Sequence, residues 1–376
     1  MSVAPASKAD APASIDARYM TLALTLGRRG LGRTWPNPAV GAVIVKDGMI
    51  VGRGWTQPGG RPHAEIEALR RAGSVARGAT LYVTLEPCSH HGKSPPCADA
   101  VIAAGIARVV SALEDPNPEV AGAGYARLRA AGIAVDVGLG AEEARRDHAG
   151  HIHRMRAGRP HVLLKLAASA DGKAGAAGRK PVAITGERAR ERVHLLRAHC
   201  DAITVGIGTA LADDPILTCR LPGMAGYSPV RVVLDGMLRL PLGSRLVRSA
   251  REVPLWVVTA PQAPSAAKAA LEAAGVTVLS VPRVDGRLDL AAVLRLLAER
   301  GISRLMVEAG PILGAALLEA DLVDEVALFR SDKVVGPDGI DALEGMPLTA
   351  LSRSPRLASV HREAVGEDSC EVFERR

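Results

Sequence analysis

Between residues 14 and 30 apolar side chains recur at helical spacing, with Ile15, Tyr19, Leu22 and Leu26 on one face. Val40 to Val45 and Met49 to Trp55 read as strands joined at Lys46-Asp47-Gly48, because Asp-Gly supplies the positive φ of a tight hairpin turn. A helix is predicted over His63 to Ala72, ended by Gly73, and a strand over Thr80 to Leu85. Helix and strand alternate again at Ala98 to Ala104, Arg108 to Ala112, Tyr125 to Ala131 and Ile133 to Val137. This pattern predicts a three-layer α/β sandwich with its site at strand ends. Ala141 to Ala157 reads as one bridging helix, stopped at Gly158-Arg159-Pro160, and His148, His151 and His153 on it are expected to be solvated.

From residue 161 the alternation resumes. Strands are expected at His161 to Ala168, Ala202 to Val205, Val230 to Leu234, Leu255 to Val258, Val276 to Leu279, Arg304 to Val307 and Val323 to Phe329. Helices are expected at Glu187 to Ala198, Ala266 to Ala274, Leu290 to Glu299 and Ile312 to Glu319. That order predicts a second α/β unit with a mostly parallel sheet. Met346 to Arg356 reads as loop, and Glu371 to Phe373 as a closing edge strand. The expected division is a disordered leader over 1–13, a first domain over 14–146, a linker over 147–160 and a second domain over 161–376.

Composition narrows the function classes. The chain has 376 residues, 48% of them hydrophobic, which is enough for two cores. Aromatics are only 2%, which opposes a base-stacking platform for single-stranded nucleic acid. The formal charge of +7 suits an anionic partner, and the arginines are scattered rather than bunched, which favours a phosphorylated small molecule over nucleic acid. The five cysteines show no disulfide framework, the first dozen residues lack the apolar core of a signal peptide, and no run reaches the roughly 18 apolar residues of a membrane span. A cytoplasmic protein is expected.

Two short stretches carry chemistry. His63-Ala64-Glu65 matches the H-x-E half of the zinc-deaminase signature, and Pro87-Cys88 opens its P-C-x-x-C half, although the next cysteine is Cys97. His63, Cys88 and Cys97 are the candidate Zn²⁺ ligands, which leaves a fourth position for water, and Glu65 is the candidate proton shuttle. Each cysteine follows a proline and precedes a helix-like run, and a helix start lowers a thiol pKa. A structural four-ligand site that recruits His90 or His91 is the alternative. In the second half, Glu308-Ala309-Gly310-Pro311-Ile312-Leu313-Gly314 follows a strand and opens a helix, as does Val205-Gly206-Ile207-Gly208-Thr209. Helix starts of this kind bind phosphate, but neither is G-x-G-x-x-G, so no Rossmann site is indicated.

The run Trp35-Pro36-Asn37-Pro38-Ala39-Val40-Gly41, the His63-Ala64-Glu65 triplet, Thr84-Leu85-Glu86-Pro87-Cys88-Ser89-His90-His91-Gly92-Lys93 and Pro95-Pro96-Cys97 together resemble the bifunctional deaminase/reductase family of riboflavin biosynthesis. The insertion between the cysteines is that family's mark. The likeness continues through Lys165 to Lys173, Ile184-Thr185-Gly186, Leu195 to Ala198, Gly208 to Pro215 and Glu308-Ala309-Gly310. It implies a cytidine-deaminase-like domain followed by a dihydrofolate-reductase-like domain, with Zn²⁺ and NADPH as cofactors. It also implies a small phosphorylated pyrimidine as substrate, a homo-oligomer, and no nucleic-acid or membrane partner.

By matching position, Asn37, Asn117 and Lys93 would meet the deaminase substrate. Ala167, Ala183, Thr209, Asp213, Gly236, Gly310, Pro311, Ile312, Leu313, Gly314, Ala315 and Ala316 would line the reductase cofactor. Pro181, Arg197, Leu217, Arg220 and Glu308 would meet the reductase substrate, and two arginines suit a phosphate ester. Pro181 and Ala183 stand where the family carries Ser and Trp. Two rivals differ in what they require. A nucleic-acid base deaminase requires strongly salt-dependent RNA or DNA binding. A non-catalytic zinc protein requires that Glu65 be dispensable.

Overall fold

The structure is a computed structural model, and it describes residues 14–90, 95–179, 182–308 and 310–376. The leader expected over 1–13 lies outside the described residues, as do His91, Lys93 and Pro181. The chain divides into two compact units, one made by Asn37–Ile152 with the segment through Gly30, the other by Leu31–Pro36 with His153–Arg376. Leu31–Pro36 joins the second unit through contacts no local pattern announces: the Trp35 ring meets Trp256 edge-on at 6.4 Å, and the Pro36 carbonyl accepts from Arg154 Nη1.

The first unit runs α1 (Ile15–Gly27), β1 (Gly41–Lys46), β2 (Met49–Trp55), α2 (Ala64–Ala72), β3 (Thr80–Val83), α3 (Cys97–Ala103), β4 (Arg108–Ser111), α4 (Ala123–Ala130), β5 (Ala134–Val137) and α5 (Ala141–Asp147), and ends inside α6 (Ala149–Ala157). Ser14 starts α1 by accepting from the Ala17 N–H, a side-chain cap. Asp47 and Gly48 both take positive φ, as the hairpin turn between β1 and β2 requires. The sheet order is β2-β1-β3-β4-β5, with β1 antiparallel to both neighbours and β3, β4 and β5 parallel. Alternation along β1 sends Ala42 and Ile44 to a core shared with Ala64 and Ala68 of α2, Val101 of α3 and Leu128 of α4. Val43 and Val45 point to the other core, with Met20 and Leu24 of α1 and Ala144 of α5. This is the expected three-layer sandwich.

Helix α2 lies unusually close to β2, and glycine permits it. A Cβ on Gly54 would stand 2.3 Å from the Ala64 carbonyl oxygen and 2.7 Å from the Ala68 nitrogen; one on Gly52 would stand 2.3 Å from the Ala68 oxygen. The contact at Gly54 therefore fixes the first turn of α2, which carries Glu65 and directly follows His63. Gly54→Ala should push that turn outward, cost about 1–3 kcal/mol by overpacking and weaken Zn²⁺ binding about tenfold or more. Urea unfolding and chelator competition on the same preparation check both effects.

The second unit runs β6 (His161–Ala168), β7 (Lys173–Gly175), α7 (Glu187–Ala198), β8 (Ala202–Gly206), α8 (Ile207–Asp213), β9 (Val230–Leu234), α9 (Arg245–Arg248), β10 (Leu255–Thr259), α10 (Ser265–Ala273) and β11 (Thr277–Ser280). It continues with β12 (Arg283–Val284), β13 (Arg287–Leu288), α11 (Leu290–Glu299), β14 (Arg304–Val307), α12 (Pro311–Glu319), β15 (Glu325–Arg330), β16 (Ile340–Asp341), α13 (Thr349–Ser352), β17 (Leu357–Val365) and β18 (Asp368–Arg375). Nine strands form one sheet in the order β11-β10-β9-β8-β14-β6-β15-β18-β17, parallel except where β18 pairs with β15 and with β17. Chain order departs from β6 to β8, moves outward to β11, and returns with β14 between β8 and β6. The strand ends beside that reversal are where an open sheet offers a crevice.

Several expectations need correction. The helix over Ala141 to Ala157 is two helices, interrupted at His148, whose backbone leaves helical geometry. His148 and His151 are buried rather than solvated, hydrogen-bonded to Thr84 Oγ1 at 3.1 Å and Asp115 Oδ1 at 2.9 Å. Met346 to Arg356 contains the short helix α13. Glu371 to Phe373 belongs to β18, which is not an edge strand; β17 outside it carries the edge.

Candidate active sites

The first unit gathers its chemistry at the start of two helices. His63 is the residue just before α2, in extended backbone geometry (φ −69°, ψ 160°), so Glu65 falls in the first turn and can turn inward beside it. Pro62 precedes that cap residue. Cys97 opens α3, and Cys88 lies in the loop after β3. The Cys97 N–H donates to Cys88 Sγ at 3.3 Å, and His63 Nδ1 stands 3.3 Å from Cys97 Sγ and 3.8 Å from Cys88 Sγ. All three ligand atoms lie within 4.8 Å of one another.

Donors around tetrahedral Zn²⁺ stand roughly 3.5–4 Å apart, given typical Zn–S and Zn–N lengths, so this donor set fits the metal. Its electrostatics fit as well. The hydrogen bond with Cys97 holds the Cys88 thiol low, at about 4, against its partial burial. The same bond and burial push Cys97 up. A dication takes both as thiolates. Glu65 is 3% exposed, and burial raises its carboxyl to about 7, opposed first by His63. Its carboxyl feels the charges of His63 and Cys88, so it lies beside the three ligand atoms but is not among them.

His90 is exposed and outside the cluster, and His91 is not among the described residues. His90→Ala should therefore keep a full complement of zinc by metal analysis; loss of metal would favour a closed four-ligand site. Asn37 Nδ2 donates to the Gly60 carbonyl at 2.8 Å and lies 3.4 Å from His63 Nε2, which puts it at the metal cluster. Asn117 is half-buried in the loop after β4, where its N–H donates to Asp115 Oδ1 and its own Oδ1 accepts from Glu119.

One residue in this region goes unnoticed in the sequence reading. Glu86, two positions before Cys88, is 3% exposed. Its carboxylate accepts from four backbone N–H groups, those of Asp115, Gly122, Gly124 and Tyr125, at 2.8–3.2 Å. Burial pushes this carboxyl up, and the four N–H groups pull it back. All four donors lie 29 to 39 residues away in sequence, so no local pattern could point to them.

The second unit brings its candidates to the carboxyl ends of β6, β8, β9 and β14. Arg197, on α7, grips Glu308 at the end of β14 with a two-pronged contact, Nε to Oε1 at 2.5 Å and Nη2 to Oε2 at 2.8 Å, while its Nη1 donates to the Thr218 carbonyl. Burial pushes Glu308 up, and Arg197 and Lys165 more than offset it. Lys165, on the same face of β6 as Ala167, is lowered by burial and supported by Glu308. The sequence signal for Lys165 was available: it is the single charge in the run His161 to Ala168 after the histidine. The exposed Arg220 donates its backbone N–H to His194 Nδ1.

Thr209 lies in α8, and its hydroxyl approaches Gly310 so closely that a Cβ there would stand 2.8 Å from Oγ1. Gly310 begins α12 without a side-chain cap, with Pro311 in the first turn. A helix start without a side-chain cap leaves backbone N–H groups that suit an anionic group such as the diphosphate of NADPH. Gly236 follows β9 at the same edge, Asp213 ends α8, and Ile312 is exposed at the start of α12. Gly314 and Ala315 are packed inward, Gly314 against Leu164, Leu166 and Leu343; Leu313 and Ala316 are half-buried. Leu217 is buried in the core, and its backbone has φ 55°. Ala183 is exposed, with its carbonyl accepting from Lys333 Nζ.

Comparison with known proteins agrees with both units. The family model described as cytidine and deoxycytidylate deaminase zinc-binding region matches residues 13–113, and that described as RibD C-terminal domain matches residues 160–370. The chain is 44% identical to the riboflavin biosynthesis protein RibD of Escherichia coli over 94% of this chain and 98% of that one. It is 40% identical to RibD of Aquifex aeolicus over 96% and 99%. Among solved structures, RibD of Acinetobacter baumannii superposes with a TM-score of 0.86 at 34% identity, covering 96% of this chain and 99% of that one. The diaminohydroxyphosphoribosylaminopyrimidine deaminase/5-amino-6-(5-phosphoribosylamino)uracil reductase of Thermotoga maritima superposes with a TM-score of 0.83 at 36% identity, covering 96% and 99%. No helix among the described residues is long and apolar enough to cross a membrane.

Proposed function

The chain belongs to the RibD family, bifunctional deaminase/reductases of riboflavin biosynthesis, and from that premise we propose which residues carry each step and on what substrate. The deaminase half would take a diaminopyrimidine bearing a phosphoribosylamino group, and the reductase half would convert the ribosyl chain of the product to ribityl. When bound, Zn²⁺ supplies an activated water and NADPH a hydride.

In the first unit, His63, Cys88 and Cys97 hold the metal. Glu65 takes a proton from the nucleophile and returns it to the departing ammonia, which needs a carboxyl poised between its two states. Asn37 and Asn117 orient the pyrimidine, and Lys93 is assigned to its phosphate. The observation that carries this reading is Glu65, buried beside a three-ligand cluster without itself being one of the ligands. In the second unit, Arg197 and Arg220 offer fixed cations to a phosphate, with Glu308 and Lys165 completing the charged floor. Gly310 to Leu313 would meet the cofactor through their backbone, with Thr209, Ala167, Asp213 and Gly236 around it; by family likeness Ala183 is assigned to the cofactor and Pro181 and Leu217 to the substrate.

Mass spectrometry of the diaminopyrimidine incubated with the protein tests this reading directly. Without NADPH the amine should be exchanged for oxygen and nothing more. With NADPH two hydrogens should then be added. RNA or DNA binding that weakens steeply with salt would instead favour a nucleic-acid deaminase. A cytoplasmic homo-oligomer belongs to the same reading; all five cysteines are unpaired thiols, as a reducing compartment requires, and sedimentation reads the oligomeric state.

A further inference from the structure

We propose that Glu86 is a positioning residue of the deaminase, setting the loop over residues 113–122 that leads into α4, and Asn117 within it, in register with Cys88. The proposal rests on the reading of Asn117 as a substrate contact. Glu86 holds the loop at both ends. Oε2 accepts from Asp115 at 3.2 Å and Gly122 at 3.0 Å, and Oε1 accepts from Gly124 at 2.8 Å and Tyr125 at 3.2 Å. Its own backbone N–H donates to the Leu113 carbonyl at 2.9 Å. The first turn of α4 also abuts the segment that carries Cys88, since a Cβ on Gly124 would stand 2.2 Å from the Pro87 carbonyl oxygen.

From Asp115 the order passes to Asn117. Asp115 Oδ1 accepts from the Asn117 N–H at 2.9 Å and is braced from α6 by His151 Nε2, also at 2.9 Å. A short covalent path, Glu86-Pro87-Cys88, thus joins a zinc ligand to the carboxylate that shapes the substrate loop. Charge-assisted bonds to four N–H groups make a stiff joint, because a carboxylate offers lone pairs for all of them. Substrate binding needs such stiffness, since a loop that must be ordered at the moment of binding costs affinity.

The test uses the full-length protein as Glu86→Gln, Asn117→Ala and the double variant. Each is assayed for zinc content, thermal unfolding, deaminase kcat and KM, and reductase rate as an internal control. The amide of Glu86→Gln turns an NH₂ toward two of the four donors. It should keep zinc and the reductase rate and raise the deaminase KM about tenfold or more, with a smaller effect on kcat. Asn117→Ala should do the same, and the double variant should be no worse than the worse single, because the two act through one contact. Unchanged KM in Glu86→Gln beside an impaired Asn117→Ala, or effects that multiply in the double variant, would overturn the role of Glu86. Unchanged KM in Asn117→Ala would overturn the reading beneath it, and this proposal with it. Should Glu86→Gln lose zinc or fail to fold, Asp115→Ala decides: it leaves the Glu86 contacts in place and removes the acceptor of the Asn117 N–H. Its KM should rise with zinc retained, and an unchanged KM would refute the proposed relay.

Discussion

Glu65→Gln should retain its zinc and its fold while ammonia release falls by about 10²–10⁴, the range for removing a general acid–base. The amide is nearly isosteric with the carboxylate, so packing around the first turn of α2 is preserved. Metal content is preserved too, because the three ligand atoms come from His63, Cys88 and Cys97. What is lost is the ability to take up a proton and give it back. The reductase rate on independently supplied deaminated substrate should be unchanged. Metal analysis and ammonia assay on one preparation read the two halves of the expectation together. A variant that loses zinc along with activity would make Glu65 a structural part of the cluster.

Arg197→Ala should act on the other half alone. It removes both prongs from Glu308 and a fixed cation from the substrate site, so reduction should fall at least tenfold, given that a charged contact of this kind contributes about 1.5–3 kcal/mol. Leaving a buried carboxylate without its main partner costs about 3–5 kcal/mol, and the nearby Lys165 should hold the loss toward the lower end. The pH dependence has a definite sign. Arg197 and Lys165 hold Glu308 below its ordinary value against burial. Their pairing therefore contributes stability that is full above the unfolded-state carboxylate range and lost as pH falls through the lowered value. Removing Arg197 lets burial raise that carboxyl, so the loss across the acid range should shrink or reverse, which denaturant midpoints would show. Arg197→Lys should recover the charge but not the planar fork, and so only part of both effects.

Much of this was legible in the sequence because the signals are local. His63-Ala64-Glu65 and Pro87-Cys88 sit beside the helix starts and strand end that place them. The β1–β2 turn announces itself in Asp47-Gly48, and Val230 to Leu234, Leu290 to Glu299 and Arg304 to Val307 form elements with the bounds their apolar periodicity predicts. The failures share a physical cause. Leu357 to Val365 forms the outermost strand and is largely exposed, so no alternation marks it as β17. His148 and His151 read as solvated because their partners Thr84 and Asp115 are 64 and 36 residues away. Glu86 binds only backbone N–H groups, which every residue except proline carries, so no residue type gives its role away. Leu31–Pro36 joins the second unit by tertiary contacts such as that of Trp35 with Trp256.

The central claim is that one chain performs two successive reactions, with Glu65 serving the first and Arg197 the second. Mixing the Glu65→Gln and Arg197→Ala proteins tests it most directly. Diaminopyrimidine and NADPH are supplied to each variant alone and to the mixture at low enzyme concentration, and the ribityl product is followed by mass spectrometry. The account predicts little or no product from either variant and clear product from the mixture, by passage of the free deaminated intermediate. Product formed by Glu65→Gln alone, at a rate near that of the unaltered protein, would contradict it.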